Sequence, residues 1–128
     1  MALLYIDLDN FKDINDALGH AAGDQLLKNI ASLLKSNLRE VDVIGRCGGD
    51  EFNVLLTQLD GSEWAGRIAS QIIEAVSETF GDLEPKIGVS VGISLYPDDG
   101  VNAETLQTRA DRAMYLAKSR GKNRYETY

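Results

Sequence analysis

Near the middle of the chain, Gly48-Gly49-Asp50-Glu51 places two carboxylates side by side directly after a glycine pair. Adjacent acids repel, so such a pair sits comfortably only in open water or beside a cation. Earlier, the short apolar run Leu3-Leu4-Tyr5-Ile6 ends in Asp7-Leu8-Asp9. A carboxylate at the end of an apolar strand is costly to bury unless it is paired or ligates a metal. Asp9 has an alternative use as the N-cap of a helix beginning at Asn10, whereas Asp7 has none. If the strand carrying Asp7 neighbours the one carrying Asp50, their oxygens form a hard-ligand site for Mg²⁺ or Mn²⁺ that leaves other positions to phosphate and water. The turn from Asp9 to Lys12 offers backbone N–H groups at a helix start to phosphate oxygens, and Lys118 and Lys122 near the end of the last helix supply cations. The chemistry these residues point to is metal-dependent handling of phosphates.

Particular elements must hold these side chains. Leu3 to Asp9 reads as a buried strand, and Arg46 to Leu56 as a hairpin whose Gly48-Gly49 turn takes positive φ. Cys47 is then a buried thiol in the first arm, and Glu51 to Thr57 the second arm. Between them, a helix over Asn10 to Leu18 stops at Gly19, and His20 lies in a loop with a local hydrogen-bonding role. A longer helix opens at Gly23-Asp24 and places Leu26, Leu27, Ile30, Leu33, Leu34 and Leu38 on one face. A third helix, from about Ser62 to Thr79, carries Trp64 as a core anchor with Ile68, Ile72, Ile73 and Val76. From Pro85 to Leu95 large apolar residues alternate with glycine and serine, a strand with one packed face and one small-residue face against which something lies close. The turn Pro97-Asp98-Asp99-Gly100 leads to a helix from about Ala103 to Arg120, and Asn123 to Thr127 forms an edge strand. This order describes an α+β fold on a split βαβ plan, a mostly antiparallel sheet with helices packed on it, and one domain spanning residues 1–128.

The 128 residues are 44% hydrophobic, enough for one core. With 20 acids against 13 bases and a net charge of -7, the surface repels polyanions, so neither nucleic acid nor direct contact with acidic lipid is expected. A single cysteine excludes an internal disulfide, and no apolar run approaches a membrane span or a secretion signal. The expected location is the cytoplasm.

Gly48-Gly49-Asp50-Glu51-Phe52 is the signature string of the GGDEF family of diguanylate cyclases, which the chain resembles over nearly its whole length. The resemblance implies a ferredoxin-like, nucleotidyl-cyclase palm fold. It also implies an enzyme that joins two GTP molecules into cyclic di-GMP, each held by one protomer of a homodimer, the 3′-hydroxyl of one attacking the α-phosphate of the other. Asp7, the Leu8 carbonyl and Asp50 would bind the metal, and Glu51 would assist in activating the ribose hydroxyl. Phe11 and Lys12 would contact phosphates through their backbone, Lys118 and Lys122 through their side chains, with Gly48 and Gly49 against the substrate. Asn15 and Asp24 would read the guanine edge, an amide and a carboxylate matching its acceptor and donor groups. Arg39 and Asp42, an unremarkable surface pair by themselves, match the family's Arg-x-x-Asp product-inhibition site in type and in spacing to the signature.

The match has departures. Family domains begin with a helix and an Asp-x-Leu-Thr turn before the first strand, and that aspartate pairs with the arginine preceding the signature. Here the sequence starts at the strand, so Arg46 is expected to lack its partner and the isolated domain to be weakly active. Lys122 stands where many members carry arginine, keeping charge but not bidentate geometry. A fused sensory or receiver domain is the expected context in a longer protein. The rival reading is a catalytically silent domain that binds GTP or cyclic di-GMP and regulates a neighbour.

Overall fold

The computed structural model describes residues 1–128. Nine elements follow in order: β1 (Ala2–Asp9), α1 (Phe11–Leu18), α2 (His20–Ser36), β2 (Val43–Arg46), β3 (Glu51–Leu56), α3 (Glu63–Phe80), β4 (Gly88–Leu95), α4 (Ala103–Ser119) and β5 (Arg124–Thr127). They build one five-stranded sheet in the order β2-β3-β1-β4-β5. β1 runs antiparallel to both neighbours, β3 and β4, and only β4–β5 is parallel. This is the α+β, ferredoxin-like arrangement with an added edge strand.

Alternation along β1 explains the layering. Ala2, Leu4, Ile6 and Leu8 are buried in one core with Phe52, Val54 and Leu56 of β3, Val89, Val91 and Ile93 of β4, and the apolar faces of α1, α2 and α3. The opposite face receives α4. Gly92 lets that helix approach, since a Cβ there would lie 2.0 Å from the Ala110 carbonyl oxygen and 2.2 Å from the Met114 nitrogen. The close neighbour expected of the glycine and serine face is therefore α4, and β4 is buried on both faces. The Asn102 side chain caps α4 by accepting from the Thr105 N–H at 2.9 Å.

Several boundaries differ from the sequence reading. α2 starts at His20, so this histidine is its first residue rather than part of a loop, and the helix runs through Gly23-Asp24. β4 begins at Gly88, after the Pro85 segment. Trp64 is half-buried and packs on the rim of the core. Cys47 follows the end of β2 and is exposed, not buried in a strand. No helix is long and apolar enough to cross a membrane.

Candidate active site

The pairing of β1 with β3 sets Asp7 opposite Glu51, and the Leu8 N–H donates to the Asp50 carbonyl at 3.1 Å. Because Leu4, Ile6 and Leu8 point into the core, Tyr5 and Asp7 face the other way, over the uncovered end of the sheet. The carboxylates of Asp7, Asp50 and Glu51 there offer oxygens that all lie within 4.8 Å of one another. The convergence expected of Asp7 and Asp50 is what the fold produces.

The signature turn is held by Arg46, the residue expected to lack its acidic partner. The Arg46 guanidinium donates from Nε to the Gly48 carbonyl at 3.1 Å and from Nη2 to the Gly49 carbonyl at 2.9 Å. It thus finds two backbone acceptors in place of an acidic partner. The Cys47 N–H donates to the Glu51 carbonyl at 3.0 Å and closes the hairpin. Neither Gly48 nor Gly49 has positive φ, against expectation. What the glycines provide is room: a Cβ at Gly49 would meet nothing within 4 Å, and one at Gly48 would press on the Glu51 carboxylate at 3.3 Å.

Asp9 is not an N-cap. It ends β1, while Asn10, in the left-handed region at φ 67°, stands before α1 with no side-chain cap bond. Asp9 is buried and accepts from the Ser90 hydroxyl at 2.7 Å, the Lys118 ammonium at 3.0 Å and the Asn123 N–H at 2.9 Å. Lys118 also lies 3.2 Å from Asp7 Oδ2. Lys122 donates to Asn10 Oδ1 at 3.3 Å, and Asn10 Nδ2 donates to the Lys86 carbonyl at 3.0 Å. Both cations expected to meet phosphate therefore stand beside β1 and the start of α1. Phe11 and Lys12 occupy the first turn of α1, whose N–H groups have no partner within the helix.

Burial is the largest influence on Asp7 and raises its pKa; Lys118 pulls it back, Asp50 and Glu51 push it up again, and it stands at about 6. Burial alone would depress Lys118, but its bonds to Asp9 and Asp7 hold it above the usual lysine value. Asp7 Oδ1 is buried without a hydrogen-bond partner. An orphaned carboxylate oxygen among three converging acids fits a hard divalent cation held between Asp7 and Asp50, with the Glu51 carboxylate alongside.

Asn15 of α1 points its Oδ1 against Gly23 of α2, where a Cβ would stand 1.7 Å away, and that oxygen too is buried and unpartnered. Asp24, exposed, follows Gly23 directly. Arg39 and Asp42 form a two-pronged pair, Nε to Oδ2 at 3.2 Å and Nη2 to Oδ1 at 3.1 Å. Arg39 also donates to the carbonyls of Thr57 and Gln58, and Asp42 accepts from the Thr57 N–H. This pair lies at the far end of β3 from Glu51, so the structure keeps it apart from the acidic cluster.

Sequence reasoning missed Tyr5, Ser90, Asn123 and Gly23. Strand alternation could have placed Tyr5 on the face of Asp7, but nothing local connects Asp9 to residues 90, 118 and 123.

Among known proteins, the family described as diguanylate cyclase, GGDEF domain, matches residues 1–124. The chain is 41% identical over 126 residues to the bifunctional diguanylate cyclase/cyclic di-GMP phosphodiesterase MucR of Pseudomonas aeruginosa, covering 97% of this chain and 18% of MucR. It is 45% identical over 130 residues to the probable diguanylate cyclase DgcE of Escherichia coli, covering 99% of the chain and 12% of DgcE. The chain thus spans less than a fifth of either relative's length. Among solved structures, the GGDEF domain of TpbB (YfiN) from Pseudomonas aeruginosa superposes with a TM-score of 0.91 at 41% identity, over 98% of this chain and 75% of that one. The GGDEF domain of DgcB from Caulobacter crescentus, solved in complex with c-di-GMP, gives a TM-score of 0.87 at 28% identity, over 98% and 76%.

Proposed function

The chain belongs to the GGDEF family of diguanylate cyclases, and on that premise we propose that it condenses two GTP molecules into cyclic di-GMP, one nucleotide held by each protomer of a homodimer. The observation that carries this reading is the convergence of Asp7, Asp50 and Glu51 at the sheet edge, with Asp7 Oδ1 buried and unpartnered. Asp7, Asp50 and the Leu8 carbonyl would hold Mg²⁺ or Mn²⁺; when bound, the ion neutralises the triphosphate and polarises the α-phosphate.

The remaining work falls to the chain's own groups. Lys118 and Lys122, with the backbone N–H groups of Phe11 and Lys12, bind phosphate oxygens, and Gly48 with Gly49, the latter facing open space, admits the nucleotide against the turn. Asn15 offers its buried, unpartnered Oδ1 to a guanine N–H, and Asp24, the exposed residue after Gly23, adds a carboxylate. An acceptor placed there leaves adenine mispaired. Glu51 accepts the proton of the 3′-hydroxyl as that oxygen bonds to the α-phosphorus of the other GTP and pyrophosphate leaves. Two such transfers close the ring. Positioning and charge supply most of the acceleration. Arg39 and Asp42 form a separate site where the product binds and inhibits.

Residues 1–128 form a single catalytic domain of a longer cytoplasmic signalling protein, GTP being a nucleotide of that compartment. Incubating the protein with Mg²⁺ and GTP should yield cyclic di-GMP and pyrophosphate, and Asp50→Asn should abolish the product while leaving the circular dichroism melt in place. GTP binding without turnover would instead identify a regulatory domain, and an Asp50→Asn variant active near the parent rate would remove the metal assignment.

A further inference from the structure

Lys118 stands between two acids of unequal freedom. Asp9 is buried and bound by three donors reaching it from β4, α4 and the residue before β5, namely Ser90, Lys118 and Asn123. Asp7 is bound only through Oδ2, by Lys118 at 3.2 Å, while its Oδ1 has no partner. A cation attracted to Asp7 therefore meets an ammonium already beside that carboxylate, and two positive charges on one carboxylate repel. A lysine tethered to Asp7 alone would oppose such a cation fully. One tethered to Asp9 as well can stay at the site without neutralising Asp7.

We propose that Asp9 is a positioning residue that anchors the Lys118 ammonium, so that Asp7 remains open to a divalent cation while the lysine stays poised for phosphate. This rests on the reading of Asp7 as a metal ligand. Ser90 and Asn123 support the role: with Oδ1 shared between Ser90 and Lys118 and Oδ2 taken by the Asn123 N–H, the Asp9 carboxylate cannot turn toward the acidic cluster. It adds negative charge next to the ammonium without becoming a fourth ligand.

The test measures Mn²⁺ uptake by the nucleotide-free protein, from the free-ion signal in electron paramagnetic resonance. Asp9→Asn keeps the shape and the acceptor for Ser90 but weakens the anchor, so Lys118 settles on Asp7 and the Mn²⁺ dissociation constant rises by roughly 5- to 30-fold, the lower part of the span typical of coupling between two bound groups. Lys118→Met alone should tighten binding, and the double variant Asp9→Asn/Lys118→Met should bind at least as well as the parent. A merely structural role for Asp9 would leave the double variant as weak as the single one, and that result overturns the proposal. Lys118→Met keeps the proposal testable even where Asp9→Asn fails to fold, because unchanged affinity in that variant shows no competition at Asp7. Asp7→Asn separates the two levels of the reading. Uptake that responds to Asp7→Asn but not to Asp9→Asn or Lys118→Met refutes the anchoring role alone, whereas uptake indifferent to Asp7→Asn refutes the metal assignment and this proposal together.

Discussion

The phenol of Tyr5 donates to Glu51 Oε2 at 3.1 Å, from β1 to β3 across the sheet. Tyr5 pairs with Asn53 and Asp7 with Glu51, so the bond is a diagonal one on the face that carries the acids. Burial first, then Cys47 and Glu51, raise the Tyr5 pKa above the usual phenol range, so the donor proton is present throughout the physiological pH range. Tyr5→Phe should leave the fold intact at a cost of about 1 kcal/mol, the usual worth of one hydrogen bond. It should also lower kcat by roughly 3- to 10-fold, as Glu51 loses the bond that fixes its rotamer. Initial rates beside a thermal melt check this, and an unaltered kcat would show that Glu51 is held by other means or takes no part.

Asp7 gives the metal-free protein a pH dependence of definite sign. Burial, with Asp50 and Glu51 and against the pull of Lys118, raises its carboxyl from 3.8 to about 6 in the folded state. The folded form therefore holds this proton more tightly than the unfolded one. The resulting stability is fully present below about pH 4 and is lost as the pH rises through about 6. Asp7→Asn removes the half-buried charge and should stabilise the chelator-treated protein at pH 8 by on the order of 1–2 kcal/mol, after allowance for solvent screening and the lost contact with Lys118. At pH 4 the gain should vanish. Urea titrations at the two pH values decide it, and a variant with equal effect at both would mean that Asp7 does not titrate between them.

Gly23→Ala probes the base-reading role proposed for Asn15 and Asp24 without replacing either residue. The new Cβ would fall 1.7 Å from Asn15 Oδ1, which must then swing away. The obstacle is the far end of a side chain, and alanine favours a helix interior over glycine by roughly 0.5–1 kcal/mol, so the melting temperature should hold or rise. Nucleotide selectivity should fall. The expected result is a GTP KM raised about tenfold, with the preference for GTP over ATP reduced in step. Unchanged selectivity in a folded variant would take Asn15 out of the guanine site.

How much of this was legible in the sequence depends on the range of the signal. Period-2 alternation at Leu4, Ile6 and Leu8 and helical spacing at Ile68, Ile72 and Val76 are local, so the strands, the helices and the meeting of Asp7 with Asp50 could be read directly. Asp9 misled because a carboxylate before a helix has the local appearance of a cap, while its partners are 81, 109 and 114 positions away. Gly48-Gly49 misled for a related reason: glycine permits positive φ without requiring it, and here Gly48 clears the Glu51 carboxylate while Gly49 faces open space. Arg46 was expected to want an acid, yet the carbonyls of the signature turn serve it equally well as acceptors. In the case of Cys47, a hairpin reading set β2 one residue too long and so buried a thiol that the fold exposes.

Arg39→Ala should relieve product inhibition while sparing synthesis. Arg39 and Asp42 sit at the far end of β3 from Glu51, so the substitution does not reach the acidic cluster directly. The guanidinium is already engaged with Asp42 and with the carbonyls of Thr57 and Gln58. That network holds it in place and holds the Asp42 pKa below its ordinary value: burial would raise it, but the hydrogen bonds from Arg39 and Thr57 and the arginine's charge outweigh that effect. Such an arginine is pre-oriented for an anionic ligand but must share its donors, so the loss on removal should lie toward the low end for a charged hydrogen bond, roughly tenfold in inhibitor affinity. The measurement is the initial rate at fixed GTP across a series of added cyclic di-GMP. The half-inhibitory concentration should rise about tenfold in the variant while the uninhibited rate stays near that of the parent. An Asp42→Asn variant should behave in the same direction, since it loosens the guanidinium that Asp42 orients. Inhibition curves that superimpose on the parent's for both variants would show that product acts elsewhere, and that this pair serves only to tie the α2–β2 connection to the end of β3.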